Sequence, residues 1–271
     1  MRSRTGPDRP SIETAREGEG PSSIGDNALP RPPFSERDLR RAAFLALDRH
    51  EFFRKGLDGV GVPCAILDPR LHGPYALPLA EVERLPGCRR PKDADLAEAA
   101  RLVAKHYPTG VDVEVATRTL GNYADRLELV LGDLRRVGIR GRSRIYESAA
   151  GFVAFARGDF DVIGVQDTGM VLTDPSSVFS VLFTTQAGRN WERWADPRVD
   201  WLAEQALRES NPQRRIELYH QLQHHLLTED TGAIPMGWVE GWYFLDPRVR
   251  DYRPALTIYD ANTFVNVWLS R

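Results

Sequence analysis

The stretch between residues 111 and 165 constrains the fold more than any other part of the chain. VDVEVAT (111–117) alternates apolar and polar residues as a half-buried strand does. YADRLELVLGDLRRVG (123–138) has helical amphipathicity and ends on Gly138, and RSRIYES (142–148) again reads as a strand. GFVAFARG (151–158) then makes a short helix, and FDVIGV (160–165) a buried strand. A β-α-β-α-β run of this kind implies a largely parallel sheet covered by helices, an α/β fold.

The flanking segments are helical or irregular. Residues 1–33 are rich in Gly, Pro, Ser, Arg and Glu and have few aliphatic residues, so they bury too little to offset ordering entropy and are expected to be disordered. Order is expected from Phe34, with Ser35 capping one helix through LRRAAFLALDRHEFFRKGL. Leu39, Ala42, Ala43, Ala46, Leu47 and Phe53 share its apolar face, and Arg40, Arg41 and Arg49 fall off it. From Gly56 to Pro91 the sequence is loop-like, and irregular segments of that length are often functional or lie against a neighbour. DADLAEAARLVAKHY reads as a helix stopped by Pro108-Thr109-Gly110. Three further helices, PSSVFSVLFTT, DPRVDWLAEQALRE and NPQRRIELYHQLQHHLLTED, open on Asp-Pro, Asp-Pro and Asn-Pro, a capping residue followed by proline at the first helical position. AIPMGWV and WYFLD read as short strands, and 251–271 as an aromatic, Asn-rich tail of strand character.

The charge balance, 36 basic against 38 acidic residues well mixed along 271, argues against a nucleic-acid footprint or a polybasic membrane surface. No run approaches the ~20 apolar residues that a membrane span needs. The opening segment has no apolar core of a secretory signal, so the chain as given is expected to stay in the cytoplasm unless a signal is supplied. Cys64 and Cys88 either bridge, if their loops meet, or stand as isolated thiols. No Cys/His grouping has zinc-site spacing. His220 and His224 are four apart on a helix, but Gln221 stands where a metalloprotease needs Glu, and with His225 they read as solvated polar residues. There is no G-x-S-x-G and no phosphate loop, so no enzyme is expected.

Several segments, in order, resemble the C-terminal half of family 5 extracellular solute-binding proteins, the dipeptide-, oligopeptide- and nickel-binding components of ABC importers. They are PPFSERDLRRAAFLALDRHEF, KDADLAEAARLVAKHYPTG, LVLGDLRRVGI, FVAFARGDFDVIGV, TDPSSVFSVLFTT, RNWERWADPRVDWLAEQA and NPQRRIELYHQLQHHLLTEDTGAIPM, with the ending DPRVRDYRPALTIYDANTFVNVWL. The resemblance covers Pro32 to Arg271 and implies a type II periplasmic-binding-protein fold, of which this would be a partial one, the C-terminal lobe without the first. It implies a lobe over 34–250, a tail over 251–271 that returns to the first lobe, and a periplasmic or extracellular setting. It also implies a monomer that needs no cofactor and works with a peptide or small polar solute and a membrane permease. The family's long N-terminal half has no counterpart here, so a truncated or mis-started product without transport function is the alternative, and an enzyme or sensor domain on the same fold a remote one.

In the family, the segment after the GDFD strand faces the cleft, and an acidic residue there commonly meets a peptide's amino terminus. The resemblance places that role in GVQDTGMVLTDPSSVF, on Asp167 or Asp174, past the end of a parallel strand where ligands sit in open α/β sheets. Asp174 has a competing role as helix cap before Pro175, whereas Asp167 has none. Arg189 and Asn190 match a frequent Arg-Asn pair of the family, and Arg189 either clamps a carboxylate bidentately or pins its own loop. Relatives often have a glycine in the next turn, where this chain has Glu192 and Arg193. Trp191, Trp194, Trp238 and Trp242 either line the cleft, Trp191 and Trp238 foremost, or pack as ordinary core.

Overall fold

The computed structural model describes residues 32–167, 174–240, 245–252 and 264–270. The segment expected to be disordered lies outside these up to residue 31, as do most of the WYFLD strand and the middle of the tail.

The first helical stretch is two helices rather than the single one expected, α1 (Arg37–Ala46) and α2 (Arg49–Gly56). Asp48 makes the break, since its carboxylate accepts the Glu51 N–H and caps α2 while its own N–H donates to Asp133. Ser35 is not the cap of α1; Glu36 holds that position without a side-chain bond. Arg49 also departs from expectation, being 1% exposed rather than on the solvated face. Its guanidinium donates to the carbonyls of Phe44, Leu47, Gly87 and Pro235, and so pins three separate segments together. Burial lowers its pKa from the ordinary arginine value.

The irregular stretch after α2 lies against its neighbours. It holds β1 (Val62–Pro63), α3 (Pro69–His72) and α4 (Leu79–Val82). β1 pairs antiparallel with Gly237–Trp238, and Trp238 Nε1 donates to the Ile66 carbonyl. Gln223 and His220 bond the carbonyls of Tyr75 and Pro74. Cys64 and Cys88, 1% and 2% exposed, form a disulfide with Cα atoms 5.9 Å apart, settling the open question of their pairing.

The expected sheet follows. After α5 (Asp93–His106) come β2 (Val111–Arg118), α6 (Tyr123–Arg135), β3 (Ile139–Tyr146), α7 (Ser148–Arg157) and β4 (Val162–Ile163). The order is β3-β2-β4, all parallel, with Val111 opposite Ile139 and Val115 opposite Val162. β4 is shorter than the six residues expected, because pairing stops where the chain peels towards Asp167. Gly141 and Gly164 let α6 settle on the sheet, since a Cβ at either would meet Leu131 or Leu127 and Val115. Beyond the sheet are α8 (Ser176–Leu182), α9 (Pro197–Arg208), α10 (Pro212–Thr228) and β5 (Gly237–Trp238). Asp196 and Asn211 accept the backbone N–H groups that cap α9 and α10. β6 (Val249–Arg250) and β7 (Trp268–Leu269) pair antiparallel.

The disulfide closes a loop with a sequence separation of 24 residues in the part of the fold poorest in regular structure. Replacing both cysteines by serine should cost about 3 kcal/mol, the loop-closure entropy returned to the unfolded chain. A urea titration of the double variant under non-reducing conditions checks this, and an unchanged midpoint would show that the loop is held without the bond.

Candidate ligand-binding site

Because the three strands run parallel, their C-terminal ends lie along one edge of the sheet. Arg118 ends β2, Tyr146 ends β3, and Val165–Asp167 continues from β4. The first turns of α6 and α7 start at the same edge and bring Tyr123, Arg126, Ser148 and Phe152 there. Open α/β sheets take ligands at this edge, where the loops leave the strands and the ladder no longer occupies the backbone.

Asp167 is the centre of the arrangement. Its N–H donates to the Tyr123 hydroxyl at 2.9 Å, and its carboxylate receives both ends of the Arg126 guanidinium at 3.0 and 2.8 Å. The Arg126 side chain is 2% exposed and that of Asp167 48%, so the cation is sealed in and the anion faces out. Burial raises the Tyr123 phenol above its ordinary pKa, and the Asp167 charge adds to the effect.

Arg118 lies alongside, 4% exposed, with Nε donating to Gln166 Oε1 at 3.2 Å and Nη1 to Ser148 Oγ at 3.0 Å. No carboxylate among the described residues pairs with it. Its guanidinium sits 3.8 Å from the centre of the partly exposed Phe152 ring. Arg189 approaches the same ring at 5.9 Å and Trp191 at 5.8 Å, and reaches towards the Asp167 carbonyl at 3.5 Å. Trp191 packs on Phe155 and Phe152 with ring centres 5.4 and 6.0 Å away.

The loop carrying Arg189 and Trp191 is fixed by Asn190. Its amide donates to the carbonyls of Thr184, Thr185 and Trp194, and its Oδ1 accepts the Trp194 N–H. Arg193 closes the turn at φ +52°, in the left-handed region that favours glycine.

No family model matches the chain. A di/tripeptide-binding protein of Pseudomonas aeruginosa is 22% identical over 270 residues, covering 96% of this chain and 49% of that protein. A second one is 24% identical over 87% of the chain and 43% of its own length. Among solved structures, a periplasmic peptide-binding protein of Helicobacter pylori superposes with a TM-score of 0.68 at 19% identity, covering 89% of this chain and 45% of that one. The murein tripeptide-binding protein of Escherichia coli gives 0.68 at 18% identity over 82% and 43%. The chain has the fold of a partial lobe of such periplasmic binding proteins. The chain spans about half the length of the curated relatives it matches.

Within this fold the sequence-selected residues do not all converge. Asp167, Arg189 and Trp191 meet at the sheet edge, with Asn190 behind them. Asp174 instead accepts the Ser176 N–H at the start of α8 and both bonds from Arg215 Nη2 of α10, each 2.9 Å. Burial works against its ionisation, but these partners outweigh it and hold its pKa below the usual carboxylate value. Trp238 packs on His72, 5.2 Å between ring centres, and serves the β1–β5 pairing. Trp194 is 3% exposed and donates to Asp230, and Trp242 lies outside the described residues. His220, His224 and His225 each have a partner, in Pro74, Glu81 and Asp196, and the described residues contain no group of three metal-ligating side chains. Sequence reasoning passed over Arg118, Tyr123, Arg126, Phe152 and Gln166. Arg118 was within reach, as a charged residue directly after a strand expected to be parallel.

Glu192 follows Trp191 and faces no cation among the described residues, and burial pushes its carboxyl up to about 7. The folded lobe therefore favours the protonated acid. Its contribution to stability is fully present below the ordinary value of 4.5 and is lost as pH rises through about 7. Glu192→Gln should flatten the decline of the thermal midpoint across that window; a variant with the wild-type slope would show that the group does not titrate there.

Proposed function

We propose that the chain is the ligand-binding C-terminal lobe of a substrate-binding component that delivers peptides or similar small polar solutes to an ABC importer. The observation that carries this reading is the sheet edge itself, where Asp167, Gln166, Arg189 and the rings of Phe152 and Trp191 stand partly exposed together. Polar groups fix a ligand's orientation there and the rings cover its apolar parts. Asp167, Arg189 and Trp191 serve as contacts, Asn190 shapes their loop, and Asp174 and Trp238 act by holding the neighbouring segments. The Pseudomonas relatives named as di/tripeptide-binding favour peptides over other solutes. The buried Cys64–Cys88 disulfide favours an oxidising compartment such as the periplasm.

In this reading affinity comes from two lobes closing on the ligand, each with half of the buried contact. Calorimetry of the full chain with di- to hexapeptides should therefore give saturable heats, with dissociation constants weaker than micromolar. Micromolar binding would contradict the need for a second lobe, and the absence of heat with every peptide at millimolar concentration would overturn the peptide reading.

A further inference from the structure

We infer that the sheet edge selects a ligand bearing a carboxylate and lacking a free ammonium group, such as an N-blocked peptide. The inference rests on the binding reading above and specifies the ligand chemistry of the same site.

The first argument is that the carboxylate suited to an ammonium is already used. Asp167 is held bidentately by Arg126, and the guanidinium is buried where solvent cannot screen it. An ammonium arriving at the exposed side of Asp167 meets a neutral pair rather than an anion, with a cation directly behind it. Arg189 reaches the Asp167 carbonyl from the other side. A third cation adjoins the pair, because Arg126 and Arg118 share the Tyr123 ring, with centroid distances of 4.7 and 5.9 Å.

The second argument is that Arg118 lacks an anion. Among the described residues three arginines, Arg49, Arg118 and Arg126, are deeply buried, and they differ in how their charge is met. Arg49 has four backbone carbonyls and Arg126 a carboxylate. Arg118 has only the neutral oxygens of Gln166 and Ser148, and the described residues offer no acceptor to its Nη2. A buried guanidinium stays charged and is costly to hold without an anion. Its position at the end of the central strand, over the partly exposed Phe152 ring that Arg189 also approaches, puts the charge where a bound solute would reach it. A carboxylate completes Arg118 through a charge-assisted bond while the ligand's apolar part lies on Phe152.

The test compares three probes on the full chain by proton–nitrogen NMR, following the arginine Nε–H and the Trp191 indole signals: N-acetyl-Ala-Ala, Ala-Ala, and Ala-Ala-amide. The acetylated peptide should bind several-fold more tightly than Ala-Ala, and the amide at least tenfold more weakly than the acetylated peptide. Arg118→Gln should weaken N-acetyl-Ala-Ala tenfold or more and leave the amide unchanged. Arg126→Gln, or Arg126→Lys if that variant does not fold, should improve binding of the amide by freeing Asp167. The inference is overturned if the amide matches the acetylated peptide, if Ala-Ala binds as tightly as its acetylated form or more tightly, or if Arg118→Gln has no effect on the acid. Those results leave the peptide reading standing, whereas silence of the site towards all three probes removes both.

Discussion

The parallel pairing of β2 with β3 on one side and β4 on the other is the constraint from which the site follows. Parallel neighbours need crossover connections, and each crossover here is a helix laid on the sheet. All three strands therefore end on one edge, and α6 and α7 both begin there. The second half of β2 is buried from Val115 to Arg118, whereas Asp112 and Glu114 in its first half face outward and pair with Arg140, Arg142 and Arg144 of β3. At the C-terminal edge, Arg118 from the end of β2, Tyr123 and Arg126 from the first turn of α6, and Gln166 and Asp167 from beyond β4 meet.

The surrounding structure keeps that edge in place. The Asn190 network holds the Arg189–Trp191 loop against Phe155, and Asp174 joins the start of α8 to α10 through Arg215. Arg49 and the Cys64–Cys88 disulfide fasten the irregular stretch before α5. This stretch has little regular hydrogen bonding of its own, and side chains of α10 such as Gln223 satisfy its carbonyls instead.

The parallel sheet and the helices around it were legible in the sequence because periodicity and proline caps are local signals. The break between α1 and α2 was not, since it depends on Asp48 finding both the Glu51 and Asp133 partners. The burial of Arg49 was hidden for the same reason: its four carbonyl acceptors come from residues up to 186 positions away. At the site, Asp167 was readable from its place after a strand, but the ion pair that neutralises it spans 41 residues. A cap such as Asp196 needs only the next three residues, whereas a paired carboxylate needs the tertiary fold.

Amide hydrogen exchange with and without a saturating tripeptide tests most directly whether the C-terminal edge of the sheet is the ligand face. Protection should rise together in the turns after β2, β3 and β4, at residues 119–123, 147–152 and 165–167, and in the 189–194 loop. Protection confined to α9, α10 or the β6–β7 pair, with the sheet edge unchanged, would contradict the account.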